Sequence, residues 1–121
     1  MEHGKKNRKF GRTTKPRKAL LRSLANALMA KGKIQTTEAK AKSLRPYIEK
    51  LLTIGKKAIS AGRTLTTVRL LNSEIGPKAT QKLMKEILPK VSANHGGYTR
   101  IIKLTPRVSD GAKMAIIELI Y

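Results

Sequence analysis

From Pro16 to Pro89 apolar residues recur every three or four positions, whereas the residues from Tyr98 onward form short runs rich in β-branched side chains. A single change of period, from about 3.6 to 2, confines such a chain to a mostly helical part followed by a small sheet. Helices covering one face of a small sheet make an α+β fold, a two-layer α/β domain.

Along the chain, residues 1–14 lack apolar periodicity and read as an extended arm. Pro16 suits the first position of a helix, where its missing N–H has no partner to lose. Leu20, Leu21, Leu24, Ala27 and Leu28 follow at helical spacing, and Gly32 is a natural stop. "KIQT" (33–36) can form a short strand. A second helix starts at Thr36 or Thr37, either of which can cap it, with Glu38 favourable in its first turn. Its expected buried stripe is Ala41, Leu44, Ile48, Leu51, Leu52, Gly55 and Ile59, and Pro46 within it predicts a kink or a restart. Gly62 ends that segment. "TLTTVRLLN" (64–72) reads as a third helix, and Pro77 opens a fourth that carries Ala79, Leu83, Met84, Ile87 and Leu88 and closes at Pro89. "NHGGY" (94–98) is turn chemistry, while "YTRIIKL" and "MAIIELIY" read as strands. Alternation puts Ile102 and Leu104 on one face of the first strand, and Ala115, Ile117 and Leu119 on one face of the second. "TPRVSDGAK" (105–113) is the exposed basic loop between two antiparallel strands. The expected order is helix, strand, three helices, two strands, with the arm at 1–14 and one globular domain at 15–121.

The charge is as one-sided as the periodicity is orderly. Lys and Arg number 27 against 7 Asp and Glu, a formal charge of +20 and a pI near 10.9. The field of such a chain attracts polyanions, namely nucleic acid, anionic membrane or acidic polysaccharide. With no cysteine there are no disulfides and no thiolate metal sites. No apolar run approaches the roughly 20 residues that span a bilayer, and the start lacks the apolar segment of a secretory signal. An Arg-rich, acid-poor start imitates a transit peptide, but Gly4, Gly11 and Pro16 interrupt any amphipathic helix there, so a mature cytoplasmic arm is expected. The only aromatics are Phe10, Tyr47, Tyr98 and Tyr121, too few for a broad base-stacking platform. Phosphate and shape contacts are the expected mode.

Catalytic chemistry finds no foothold. His3 and His95 lie far apart beside glycines, and no cluster has metal-ligand spacing. Glu38 and Glu49, eleven apart on one helix with Lys neighbours, read as solvated partners. "NHGG" lacks the P-loop pattern, although its Gly96–Gly97 backbone beside Arg100 can approach an RNA backbone closely. No nucleophile–base arrangement is present. The expectation is a protein that is not an enzyme and needs no cofactor or metal. The stretch 65–87 has the outline of a helix-turn-helix, but it has few base-reading side chains beyond Lys78, Gln81 and Lys82 and reads as two ordinary packed helices.

"HGKKNRKFGRTTKPRKALLR" (3–22) carries nine Lys or Arg and no acid. Packing does not explain it, because such side chains are rarely buried without partners. An arm of this kind gains order against phosphate, trading chain entropy for counterion release. With no groove-reading element in sight, an irregular folded RNA fits better than duplex DNA. A DNA-binding, nucleoid-type protein is the alternative, and a cationic membrane-active peptide is a weaker one. Candidate RNA-binding residues are Lys5, Lys6, Arg8, Lys9 and Arg12 on the arm, and Arg17, Lys18 and Arg22 on the first helix. Lys40 and Lys42 on the second helix join them, with Gly96 and Gly97 in the turn and Arg100 and Arg107 beyond it.

"IQTTEAKAKSLRPYIEKLLTIGK" (34–56) closely resembles the signature segment of the bacterial large-subunit ribosomal protein seventeen family. "KFGRT" followed by "RKALLRSLANAL", and the ends "GGYTRIIKL" and "MAIIELI", resemble it too, in the right order over nearly the whole chain. The resemblance implies the same element order. It also implies a structural role in the cytoplasmic ribosome, bound to large-subunit ribosomal RNA near the exit of the peptide tunnel, with ribosomal protein thirty-two as a protein neighbour. Glu2 stands where members are often basic, and Pro16 where many have His, so no specific His contact carries over.

Overall fold

The computed structural model describes residues 14–62, 64–91 and 97–120. Helix α1 (Thr14–Lys31) ends at Gly32 and passes directly into strand β1 (Lys33–Thr37). Of the two candidate caps, Thr37 is the one used. Its extended backbone and its side-chain oxygen, which accepts from the Lys40 N–H at 3.3 Å, open helix α2 (Glu38–Ala61). Gly62 closes α2 in the left-handed conformation, φ 72°, donating its N–H back to Ala58 and Ile59.

Helix α2 runs unbroken through Pro46, so the expected restart does not occur. Helix α3 (Thr64–Ile75) extends one residue short of Gly76, and Pro77 opens α4 (Pro77–Lys82) at its first turn. The expected stop at Pro89 is not found. A π-helical turn (Leu83–Ile87) leads instead into α5 (Leu88–Val91), which contains Pro89. A proline ring collides with the carbonyl four residues earlier in an ordinary helix. Here the Leu88 N–H reaches back five residues to the Leu83 carbonyl, and the widened turn makes room for the ring.

Strands β2 (Thr99–Lys103) and β3 (Met114–Leu119) complete an antiparallel sheet in the order β1-β3-β2. The last strand is therefore the central one. Ile117 pairs with Ile34 on one side and Ile101 on the other, and Ile116 pairs with Gln35 and Ile102. Ala115, Ile117 and Leu119 face the helices and are buried, as their alternation predicts. In β2 the inward residues are Thr99 and Ile101, while Ile102 is 42% exposed on the outer face shared with Leu104. Both edge strands have only five residues and carry Lys33, Arg100 and Lys103, which discourages pairing with another chain.

The core lies between the inner sheet face and α1, α2, α3 and the last helical segment. Leu28, Met29, Leu44, Ile48, Leu52, Leu71, Ile75, Leu83, Leu88 and Ile117 are its fully buried large side chains. Ile59, expected in the α2 stripe, is 51% exposed instead. At 1.5 Å per residue the 24-residue helix is about 36 Å long, whereas a five-residue strand covers about 17 Å. The last turn of α2 therefore extends past the sheet, which leaves Ile59 only partly covered.

Candidate nucleic-acid interface

The first two turns of α1 stand apart from the core. No side chain of the helix is fully buried before Ala25. Lys18 and Arg22 are exposed and Arg17 is half-buried, so the first half of α1 presents a projecting basic surface. None of the three forms an ion pair among the described residues. Arg22 lies close enough to Tyr47 to oppose the upward shift of its phenol, which burial and the hydrogen-bonded Glu74 carboxylate produce. The arm residues Lys5, Lys6, Arg8, Lys9 and Arg12, and Gly96 of the turn, lie outside the described residues.

A second basic group surrounds the start of α2. Glu38 receives Lys42 at 2.9 Å and Lys103 at 3.7 Å, and its N–H donates to the Lys113 carbonyl. The hydrogen bond from Lys42 lowers the Glu38 pKa most, with the charges of Lys42, Lys103 and Lys113 adding to it. Three cations share one carboxylate, so the corner stays positive. Lys40 is half-buried on a different side of the helix. Lys103 and Lys113 were not among the sequence candidates, because only the sheet pairing brings them to Glu38.

The remaining candidates are tied to acids. Arg100 donates through Nε to Glu118 at 2.6 Å and also through Nη2 to the same oxygen. Lys33 pairs across the sheet with the same glutamate's position, making an outer-face row Lys33, Glu118, Arg100. Arg107 grips Asp110 through Nε and Nη2 at 3.0 and 2.7 Å, while the Ala112 N–H donates to the same carboxylate. These contacts, Arg107 first, hold the Asp110 pKa down at about 2. They also fix the shape of the loop 104–113, in which Gly111 turns the chain and bonds back to the Arg107 carbonyl.

Glu49 overturns its sequence reading as a solvated partner. It is half-buried and accepts from the Tyr98 N–H at 3.1 Å and the Thr99 hydroxyl at 3.2 Å. It thus pins the start of β2 immediately after Gly97, whose φ of 65° and exposed backbone suit a turn. Lys56 lies 5.8 Å from the centre of the Tyr98 ring, a cation–π distance. Among the described residues, no group of three or more His, Cys, Asp or Glu converges as a metal site would require. No described helix is long and apolar enough to cross a membrane.

Two basic groups stand on one small α+β scaffold, and each of the six described acids has a partner within the chain. Residues 20–120 match the family described as Ribosomal protein L17. The chain belongs to the ribosomal protein L17 family. A large ribosomal subunit protein bL17 from Staphylococcus epidermidis is 49% identical over 119 residues, covering 93% of this chain and 98% of the relative. Proteins of the same name from Exiguobacterium and Shouchella clausii are 48% and 47% identical, each over 93% of this chain and 97% of its relative. As a member of the L17 family the chain is a ribosomal protein, a structural constituent of the cytoplasmic ribosome and not an enzyme.

Proposed function

We propose that this chain is a structural component of the large ribosomal subunit that holds ribosomal RNA near the exit of the peptide tunnel. The basic arm, residues 1–14, threads into RNA, and the projecting half of α1 with Arg17, Lys18 and Arg22 continues the contact. Lys40, Lys42 and the Gly96–Gly97 backbone add to it. Arg100 and Arg107 contribute through guanidinium donors that their carboxylates leave unused. Ribosomal protein thirty-two is the proposed protein neighbour. One observation carries this reading: all six described acids are engaged inside the chain, while Arg17, Lys18 and Arg22 form no ion pair among the described residues.

Binding to large-subunit ribosomal RNA should fall steeply with salt, by about 0.7 to 0.9 log units per tenfold salt for each phosphate contact. Six contacts give a slope of roughly four to five. A slope near one overturns the electrostatic reading, and equal affinity for duplex DNA competitor favours the nucleoid-type alternative. Replacing Lys5, Lys6, Arg8, Lys9 and Arg12 with Gln should lower incorporation into subunits by orders of magnitude, since each charge-assisted contact is worth about 1.5–3 kcal/mol. Normal incorporation of that variant would remove the arm from the interface.

A further inference from the structure

A crevice of about 180 Å³ opens where the end of α1 meets the π-helical turn and α5. Its rim holds Lys31, Lys82 and Lys90 against one carboxylate, Glu86, while Met29 and Ile87 form its buried floor. One water needs about 10–15 Å³ of such space, so the crevice admits a much larger group. We propose that it seats a backbone phosphate of the ribosomal RNA, at a site separate from the α2 corner; this rests on the RNA-binding reading above.

The charge decides the class of ligand. Three lysines and one glutamate are among the lining residues, a formal excess of two positive charges, and no aromatic residue is among them to stack a base. A phosphodiester satisfies ammonium donors without needing a stacking surface. The crevice is also partly set in advance. Lys82 Nζ donates to the Ala30 carbonyl at 2.6 Å, capping the negative end of α1, and lies 3.9 Å from Glu86. Its charge is therefore held at the wall before RNA arrives. The π-helical turn, widened ahead of Pro89, carries Glu86 and leads from Lys82 to Lys90, and all three line the same crevice. Widened turns of this kind are frequent at functional sites. Glu86 is 63% exposed at the rim and opposes an incoming anion.

The test uses the full chain and large-subunit ribosomal RNA in salt titrations. Lys31→Gln with Lys90→Gln should reduce the slope of log K against log salt by about 1.4 to 1.8, twice the roughly 0.7 to 0.9 of one contact, with circular dichroism confirming that the double variant is folded. Glu86→Gln should act in the opposite sense and tighten binding about two- to fivefold near 0.1 M salt, because a like charge is removed. Lys82 is left intact, since its loss also uncaps α1. A steep wild-type slope that the double variant leaves unchanged overturns the crevice site while leaving RNA binding in place. A shallow wild-type slope overturns the RNA reading itself. Should millimolar inorganic phosphate erase the difference between wild type and double variant, a free anion and not the RNA backbone is the occupant.

Discussion

Ile101 and Ile102 are identical neighbours in one edge strand, and the fold assigns them opposite fates. Ile101 pairs with the wholly buried Ile117 and packs against the core, whereas Ile102 pairs with Ile116 and is 42% exposed on the uncovered face. Truncating a buried Ile to Ala costs about 2–5 kcal/mol. Half-burial places Ile101→Ala at the lower end, about 2 kcal/mol. Ile102→Ala loses only part of a transfer contribution, about 0.5–1 kcal/mol. For a chain of this length one kcal/mol shifts the melting temperature by about 4 °C. Thermal unfolding of the free protein, followed by circular dichroism, should therefore show losses of about 8 °C and 2–4 °C. Equal losses, or a larger one for Ile102→Ala, would mean that β2 is slipped by one residue, because such a slip exchanges the two faces. Ile117→Asp sets the upper bound, since an unpaired buried carboxylate on the central strand costs several kcal/mol, comparable to total stability.

Glu49→Ala should lower stability by about 1–3 kcal/mol in urea titrations and speed amide exchange at Tyr98, with Glu49→Gln retaining much of both, because the amide oxygen still accepts. The Asp110 carboxyl should titrate near pH 2 by NMR. Its folded value lies below the ordinary 3.8, so the loop stabilisation is complete above about pH 4 and is lost as pH falls toward 2. A midpoint at 3.8 would show that Arg107 does not hold it. Lys103→Asp should fold, with a modest loss of about 0.5–1 kcal/mol from the new repulsion with Glu38; unfolding would show that Lys103 is part of the core.

Much of the scaffold was legible because its punctuation is local. Gly32, Thr37, Gly62 and Pro77 act through their own backbone geometry, and all four mark element ends where expected. The strict alternation of β3 gave its buried face directly. Three features were not legible, each for a reason beyond its own residues. Strand β2 has apolar side chains on both faces, so its inward face is decided by its partner β3, whose other neighbour β1 lies 62 to 70 residues before β2. Ile59 continues a valid helical stripe past the point where the sheet ends. Pro89 ends a regular helix but not one that has already widened by a residue. At the site, the surplus of positive charge was visible from composition, while its division into paired and unpaired cations was not. Glu49 carries no local signal at all, because its donors lie 49 and 50 residues away.

The acids explain that division. Of the six described, three converge on β2 and the residue before it. Glu38 takes Lys103, Glu49 takes the Tyr98 N–H and the Thr99 hydroxyl, and Glu118 takes Arg100. The apolar anchorage of this strand is slight, since Ile101 is only half-buried and Ile102 faces outward. In a chain of net charge +20, self-repulsion acts most readily on a short edge strand that carries two cations of its own. Carboxylates placed there offset the repulsion on a strand with little hydrophobic burial. "YTRIIK" therefore looks like an RNA-binding sequence by composition but spends most of its charge holding the sheet together. Arg17, Lys18 and Arg22, on the projecting half of α1, have no such acid among the described residues.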